Sequence, residues 1–317
     1  MRRCQYFKGS WIPRNVETAK GDFANTGFLE GAEAVMIGRH ATIIPKEIHG
    51  YRVIDRLGEG AASRLYVVSD PRSQNIFTLK HVNCRDASAR RFLAQVEREY
   101  EVGSKVDHPA VRTARKLLRY REIVRTTEVS LILDFVDGIP LDEAPPAETH
   151  QLFQQFASIA DGLHHLHKLG YAHADLKPGN ILIGATGRAT LIDLGQACRL
   201  GERKPRIQGT PGFLAPEQAA VGIIDARTDA FLLGATIYRQ LTGRYGSTEM
   251  LDTKRPVEML RKLIPDLPVE ADDLVHACLE QAPSRRPGDL SIVADRLREL
   301  AASCIERQFP RPLRRPA

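Results

Sequence analysis

Cysteine is scarce in this sequence and is not arranged as a disulfide or zinc framework. Five cysteines are scattered over 317 residues, an odd number with no CxxC pair. This pattern excludes a small secreted domain held by disulfides and a zinc module built on paired cysteines. Scattered thiols are typical of a reducing compartment, and we expect a cytoplasmic location.

Long apolar runs and a strong excess of one charge are missing too. No stretch approaches the roughly 18 apolar residues that cross a bilayer, and the opening MRRCQYFKGSW lacks the apolar core of a secretory signal. We therefore expect no membrane span. The net charge of +6 is too small an excess to indicate nucleic-acid binding. The hydrophobic share of 43% is sufficient for a sizeable buried core.

The character of the chain changes near residue 50 and again near residue 140. Residues 1–49 show no periodicity and are interpreted as an extension. Short β-rich runs separated by turn residues follow, which predicts a meander of strands. After the proline-rich PLDEAPPAE, apolar residues recur at helical spacing, and residues 228–241 are apolar on every side, as in a fully buried helix. Residues 301–317 are interpreted as a basic, proline-rich tail.

A helix predicted over residues 88–106 carries a carboxylate on its apolar face. Phe92, Val96 and Glu99 fall at positions i, i+4 and i+7. Because a buried carboxylate requires a cationic partner, Glu99 is expected to meet a lysine or an arginine.

The segment YAHADLKPGNILI places several polar residues in one predicted loop. Phosphoryl transfer needs a carboxylate to accept the hydroxyl proton, a cation at the γ-phosphate and oxygen ligands for Mg²⁺. Asp175, Lys177 and Asn180 supply these groups in that order, and Asp193 follows the next apolar strand. Each residue alone is more simply explained as a turn cap, but the ordered set indicates a phosphotransferase.

Two weaker signals lie earlier in the chain. The glycines of GEGAAS, Gly58 and Gly60, would let backbone N–H groups approach phosphates closely. Lys80 ends a predicted strand in FTLK. Neither feature is specific on its own.

Taken in order, these motifs resemble those of the eukaryotic-like Ser/Thr protein kinases of bacteria. The resemblance covers about residues 50–300 and includes GEGAAS, FTLK, HADLKPGN, DLG, GTPGFLAPEQ, RTDAFLLG and SRRP. It implies an α+β, two-lobed protein kinase fold. The small lobe, about residues 50–135, has an antiparallel sheet and one main helix, and the large lobe, about residues 140–300, is mostly helical. The implied activity is transfer of the γ-phosphate of ATP, with Mg²⁺, to protein hydroxyls.

The resemblance also implies roles for single residues. Lys80 holds the α- and β-phosphates and pairs with Glu99. Asp175 is the catalytic base and Lys177 steadies the γ-phosphate.

The metal and the nucleotide have implied sites as well. Asn180 and Asp193 bind Mg²⁺. The residues that contact the nucleotide are Leu57, Gly58, Gly60, Ser63, Leu65, Thr78, Lys80, Leu133, Asp134, Val136 and Leu182, with Leu133 as gatekeeper.

Three contacts of the large lobe follow from the same resemblance. Thr210 hydrogen-bonds the catalytic Asp175. Asp229 braces the catalytic loop, which is the segment HADLKPGN at residues 173–180. Arg286 pairs with Glu217.

Several positions depart from the family pattern. Ser63 replaces the third glycine of the Gly-rich loop. Thr78 replaces a small alanine under the adenine, which is expected to weaken ATP binding. Gly103 stands where a bulky residue ties the helix to the DLG motif, so a gap is expected there.

The activation segment, residues 193–217, lacks both halves of a common switch. In many such kinases a phosphate on this segment pairs with an arginine before the catalytic aspartate. That position is Ala174, and Thr210 is the only hydroxyl side chain between Asp193 and Glu217. We therefore expect activity that does not depend on phosphorylation of the segment. The four cations of the segment are Arg199, Arg203, Lys204 and Arg206.

Two other functions remain open at this point. A small-molecule kinase would also use the H-x-D-x-x-x-x-N pattern but lacks a GTPGFLAPEQ segment. A pseudokinase scaffold is favoured by Thr78 and Gly103 and opposed by the intact catalytic set. Protein substrates of unknown identity are expected, with acidic flanks because the activation segment is basic. The basic run 112–125 is interpreted as a solvated face, with a docking patch for an acidic partner as the alternative.

Overall fold

The computed structural model describes residues 5–7, 10–12, 32–37, 40–60, 63–84, 90–122, 125–247 and 257–308. The strands are β1 (Gln5–Phe7), β2 (Ser10–Ile12), β3 (Ala32–Ile37), β4 (His40–Pro45), β5 (Glu47–Ile48), β6 (Tyr51–Glu59), β7 (Ser63–Ser69), β8 (Ile76–Asn83), β9 (Ala114–Glu122), β10 (Arg125–Asp134), β11 (Gly138–Pro140), β12 (Tyr171–Ala172), β13 (Ile181–Gly184), β14 (Ala189–Leu191), β15 (Cys198–Arg199), β16 (Glu202–Arg203) and β17 (Ile223–Ile224). The helices are α1 (Arg90–Gly103), α2 (Thr149–Lys168), α3 (Pro216–Ala219), α4 (Ala226–Thr242), α5 (Leu260–Leu263), α6 (Val269–Cys278) and α7 (Leu290–Gln308).

The first half of the described chain is built around a six-stranded antiparallel sheet in the order β5-β6-β7-β8-β10-β9. Side chains alternate between the two faces of β10 because the period of a strand is two. Val129, Leu131 and Leu133 pack with Val96 of α1, whereas Ile132 packs into a separate cluster. The helix α1 therefore covers one face of the sheet.

Part of the predicted extension joins this sheet. In the pairing of β5 with β6, Ile48 lies opposite Tyr51, and Ile48 is buried. Two hairpins, β1–β2 and β3–β4, precede it. The sheet therefore begins before residue 50, because Ile48 supplies apolar surface to its core.

The second half is mostly helical and encloses the larger core. The predicted apolar face of α2 is buried, with Leu152, Phe156, Ile159, Leu163 and Leu166 in the core. The helix α4 is buried without interruption from Thr228 to Tyr238, as predicted. Its N-cap is Asp225, whose side chain accepts a hydrogen bond from the Arg227 N–H, and its C-cap is Gly243 with φ +69°.

The α+β class with a small antiparallel sheet, one main helix and a helical second half is confirmed. Two further boundaries, both at helix ends, differ from the expected positions. The helix predicted over 88–106 ends at Gly103. The helix α7 continues to Gln308, past the expected tail boundary at residue 301, because Leu300 and Ala301 are still buried. The rest of that tail, 309–317, lies outside the described residues. Within the described ranges, no helix has the length and apolar character that spanning a bilayer requires.

Gly103 does not leave the gap expected from the sequence. A Cβ atom built on Gly103 would lie 2.9 Å from the Cβ of Ala114 and 3.6 Å from Cδ1 of Leu194. A Cβ at 2.9 Å overlaps its neighbour, so the space that a larger residue would need is already filled. The expectation of a gap was wrong, because β9 and the turn that contains Leu194 pack directly against α1.

Gly103→Ala is expected to lower the free energy of unfolding by about 1–3 kcal/mol, the usual cost of overpacking. The loss should appear although alanine has a helix propensity about 1 kcal/mol more favourable than that of glycine. Urea denaturation measures the effect. The double variant Gly103→Ala/Ala114→Gly removes the Cβ–Cβ overlap and should recover part of the stability. Unchanged or increased stability of the single variant would show that a gap exists after all.

Candidate active site

The ammonium group of Lys80 joins β8 to two acidic residues from other elements. Its Nζ lies 2.6 Å from Oε2 of Glu99 in α1 and 3.2 Å from Oδ1 of Asp193, which follows β14. The side chains of Lys80 and Glu99 are 13% and 2% exposed, whereas that of Asp193 is 44% exposed. The cation expected for the buried Glu99 is therefore Lys80.

The two charges at Asp193 and Lys80 support each other. Burial lowers the pKa of the Lys80 ammonium, but the Glu99 and Asp193 carboxylates outweigh burial and raise that pKa above its ordinary value of 10.5. Burial raises the pKa of Asp193, but the charge and hydrogen bond of Lys80 lower it to about 2. Both groups are thus charged at neutral pH.

The backbone at Asp193 is shaped to present its carboxylate. Asp193 has φ +63°, in the left-handed region, and its side chain accepts a hydrogen bond from the backbone N–H of Gly195 at 3.3 Å. A Cβ on Gly195 would lie 3.1 Å from Oδ1 of Asp193. A glycine at position 195 therefore leaves space for the carboxylate.

A second polar group surrounds Asp175 in the loop between β12 and β13. Oδ1 of Asp175 accepts a hydrogen bond from Thr210 at 3.2 Å, and Nζ of Lys177 lies 3.6 Å from Oδ2. Lys177 also donates to Thr210 Oγ1 at 2.9 Å. Burial raises the pKa of Asp175, and the charge of Lys177 opposes that rise.

The backbone at the start of this loop is held by Asp229 in α4. Its carboxylate accepts hydrogen bonds from the backbone N–H groups of His173 and Ala174, both at 2.8 Å. Ala174 has φ +61°, an unusual backbone conformation for alanine. The two hydrogen bonds hold it in place, as expected for the predicted brace.

His167 is a partner of Asp229 that sequence reasoning did not identify. Its Nε2 lies 2.8 Å from Oδ2 of Asp229, which is fully buried. Burial raises the pKa of Asp229, but the hydrogen bond and charge of His167 bring it below its ordinary value. A signal was present, because His167 lies four residues after Leu163 and so on the buried face of α2.

The end of the activation segment is fixed by a buried ion pair. Arg286 donates to both carboxylate oxygens of Glu217, at 2.8 Å and 2.9 Å. The Arg286 side chain is fully buried. Gln218 adds a hydrogen bond from Nε2 to the Ala174 carbonyl at 2.9 Å, which connects the segment to the catalytic loop.

The basic run 112–125 is not uniformly solvated. Arg112 is buried, and its guanidinium lies 3.5 Å from Oε1 of Glu99. Arg115 makes a bidentate contact with the Asp134 carboxylate at 2.6 Å and 2.7 Å. Arg112 was therefore grouped wrongly with the solvated face, and its position next to a buried carboxylate explains why it is drawn inside.

The predicted nucleotide residues lie mainly on neighbouring strands of the sheet. In the pairing of β6, β7 and β8, Leu65 lies opposite both Gly58 and Lys80. Thr78 lies opposite Leu133 and is buried. Asp134 ends β10.

The remaining nucleotide positions lie at the edges of this region. The turn closes with a hydrogen bond from the Gly60 N–H to the Ser63 carbonyl at 2.7 Å, and Ala61 and Ala62 lie outside the described residues. Leu57 is 51% exposed, Val136 lies in the connection that follows β10, and Leu182 lies in β13.

The residues present fit ATP and Mg²⁺. Apart from Gly58 and its two chain neighbours, no heavy atom of the described residues lies within 4 Å of a Cβ built on Gly58, so a phosphate could approach the turn there. Asn180 donates from Nδ2 to the Asp175 carbonyl at 2.8 Å, a bond that does not use its amide oxygen. Asp193 and Asn180 thus offer the hard oxygen donors that Mg²⁺ prefers. Among the described residues no group of three His, Cys, Asp or Glu could hold a metal unaided, and Mg²⁺ commonly completes its shell with substrate phosphates and water.

Comparison with known proteins agrees with this geometry. A family model described as protein kinase domain matches residues 51–298. The chain is 33% identical over 204 residues to the DNA damage-responsive serine/threonine-protein kinase RqkA of Deinococcus radiodurans, a match that covers 61% of this chain and 30% of that protein. It is 31% identical over 282 residues to the serine/threonine-protein kinase pkn2 of Myxococcus xanthus, covering 78% and 32%. The chain thus spans about a third of the length of these relatives.

The fold also matches solved structures. A crystal structure of a double mutant of the Mycobacterium tuberculosis PknI kinase domain aligns with a TM-score of 0.64 and 25% identity, covering 80% of this chain and 96% of that chain.

Proposed function

Because the chain belongs to the protein kinase family, we propose that it is a serine/threonine protein kinase that transfers the γ-phosphate of ATP to protein hydroxyls. One observation carries the proposal: the side-chain contacts expected at both halves of a phosphotransfer site are present together. Lys80 contacts Glu99 and Asp193, and Asp175 lies beside Lys177. Both relatives are named as serine/threonine protein kinases, which supports the same class of activity.

Nucleotide binding is proposed beside Lys80, where the sheet faces Asp193 of the helical half. The Lys80 ammonium would hold the α- and β-phosphates, and the backbone at Asp134 and Val136 would bind adenine. Arg115 holds the Asp134 side chain, so that carboxylate already has a partner within the protein. The buried Thr78 beside Leu133 is still expected to weaken ATP binding.

Transfer is proposed to begin when Asp175 accepts the proton of the substrate hydroxyl. The hydroxyl oxygen forms a bond to the γ-phosphorus as the bond to the β,γ-bridging oxygen breaks. The raised pKa of Asp175 favours its acceptance of a proton. Lys177 would balance negative charge on the γ-phosphate.

The residues proposed to hold Mg²⁺ are Asp193, which would offer its carboxylate, and Asn180, which would offer its amide oxygen. When bound, Mg²⁺ supplies positive charge that neutralises the phosphate oxygens. The low pKa of Asp193, about 2, keeps this ligand ionised at neutral pH.

The rival functions are less well supported. The GTPGFLAPEQ segment, anchored through Glu217 and Arg286, favours a protein substrate over a small molecule. Gly103 no longer favours a scaffold, because its surroundings are filled. Thr78 alone supports the scaffold.

Acidic substrates remain a proposal, based on fewer cations than the sequence suggested. Of the four cations in the activation segment, Lys204 is buried and Arg199 lies 3.6 Å from Glu101. Arg203 and Arg206 are exposed and could attract acidic flanks. The cytoplasmic location and the absence of nucleic-acid binding also stay predictions.

Independence from activation-segment phosphorylation is part of the proposal. Thr210, the only hydroxyl side chain of the segment, is already bonded to Asp175 and Lys177. Lys204 is buried within the segment and donates to the Gln196 carbonyl. These internal contacts support a segment that is ordered without a phosphate.

Asp175→Asn and Asp193→Asn are each expected to slow phosphate transfer by about a hundredfold or more, while the fold stays intact. The first removes the proton acceptor and the second a charged metal ligand. Single-turnover transfer from radiolabelled Mg-ATP to casein measures the rate, and circular dichroism checks the fold. Asp295→Asn, an exposed position in α7, is the matched control. Transfer near the wild-type rate by Asp193→Asn would show that the metal assignment is wrong.

Phosphatase treatment is expected to leave the initial rate unchanged. The reason is that the contacts of Thr210 and Lys204 hold the segment without a modification. The treated enzyme is compared with a mock-treated sample after mass spectrometry shows Thr210 unmodified. A large loss of rate that returns when Thr210 is rephosphorylated would contradict the expectation.

A further inference from the structure

A second polar cluster lies on the side of α1 away from Lys80, and the proposed transfer does not use it. Glu99 and Glu101 are two positions apart, so their side chains leave the helix about 200° apart. While Glu99 meets Lys80, Oε1 of Glu101 accepts a hydrogen bond from the Tyr171 hydroxyl at 2.8 Å. The same helix is therefore held at two sides.

Tyr171 is suited to fix the position of α1. It is fully buried and lies in β12, two residues before His173 of the catalytic loop. Its hydroxyl accepts a hydrogen bond from Nζ of Lys105 at 2.7 Å and donates to Glu101. A hydroxyl between a cation and a carboxylate makes charge-assisted hydrogen bonds on both sides. The contact thus connects α1 to the strand that leads into the catalytic loop.

The activation segment meets the same phenol. In the pairing of β12 with β15, Tyr171 lies opposite Arg199. The Arg199 guanidinium lies 4.6 Å from the centre of the Tyr171 ring and 3.6 Å from Oε1 of Glu101. The helix α1, the strand before the catalytic loop and the first strand of the activation segment therefore meet at one side chain.

We propose that Glu101, Tyr171 and Arg199 are positioning residues that hold α1 against the activation segment, and so keep Glu99 within reach of Lys80, without a phosphate. The exposed Arg199–Glu101 contact contributes little alone. Most of the stabilisation comes from the hydrogen bond that the buried Tyr171 hydroxyl donates to Glu101, because that bond is charge-assisted. The inference rests on the proposed function only where its test measures phosphate transfer.

The kinetic test uses Tyr171→Phe, which removes the hydroxyl and keeps the ring beneath Arg199, and Glu101→Gln, which removes the charge. Each is expected to lower kcat/KM for ATP about tenfold, the scale of one charge-assisted hydrogen bond. The double variant should lose less than the two single losses combined, because both changes weaken the hydrogen bond between Tyr171 and Glu101. Tyr238→Phe, at another fully buried phenol in α4, is the matched control and should keep the wild-type value.

Amide hydrogen exchange of the unliganded enzyme provides a readout that needs no activity. Tyr171→Phe is expected to speed exchange in residues 92–103 and 193–199 and to leave α4 and α7 unchanged. If the wild type transfers no phosphate, the proposed function fails, and the exchange pattern still decides the role of the cluster. If Tyr171→Phe exchanges at the wild-type rate in residues 92–103 and 193–199, the proposal is overturned. Exchange that rises evenly over the whole protein would also overturn it, since that pattern reports only lost stability.

Discussion

Lys80 is a buried cation held between two carboxylates, and the rest of the site depends on placing those three charges together. Lys80 or Glu99 left without its partner in the interior would be strongly destabilising, whereas the Asp193 side chain is 44% exposed. The strand β8 carries Lys80, α1 carries Glu99, and the turn after β14 carries Asp193. Three separate elements must therefore pack correctly before the charges are satisfied. The close contact of Gly103 with Ala114 and the hydrogen bond of Glu101 to Tyr171 both act on this packing.

The catalytic loop depends on a second buried charge in a similar way. Asp229 has no exposed surface, and its carboxylate is satisfied by backbone N–H groups of the loop and by His167. These bonds hold Ala174 in its left-handed conformation and so direct Asp175 toward Thr210. The helical core thus determines where the proposed base lies, while the sheet and α1 determine where the phosphates would be held.

Contacts could be predicted from the sequence where a buried charge requires a partner of opposite charge. A carboxylate on the apolar face of a helix requires a cation, and the resemblance to the kinase family implied that this cation is Lys80. Sequence reasoning was insufficient where the outcome depends on how far neighbouring elements approach. Whether Gly103 leaves a void depends on the position of Ala114, which no local pattern encodes. Arg112 was grouped with the basic residues that follow it, and only its burial distinguishes it from them. His167 was not singled out among the neighbouring histidines, although its spacing from Leu163 places it on the buried face of α2.

The NMR titration of Lys80 in unmodified, nucleotide-free protein tests most directly whether the charge cluster is assembled in advance. Burial without partners lowers the pKa of a lysine below its ordinary value of 10.5, whereas pairing with Glu99 and Asp193 raises it. The Lys80 signal can be assigned by its loss in Lys80→Arg. The assembled cluster predicts that Lys80 stays protonated to higher pH than the exposed lysines of the same sample. A Lys80 pKa below that of the exposed lysines would contradict it.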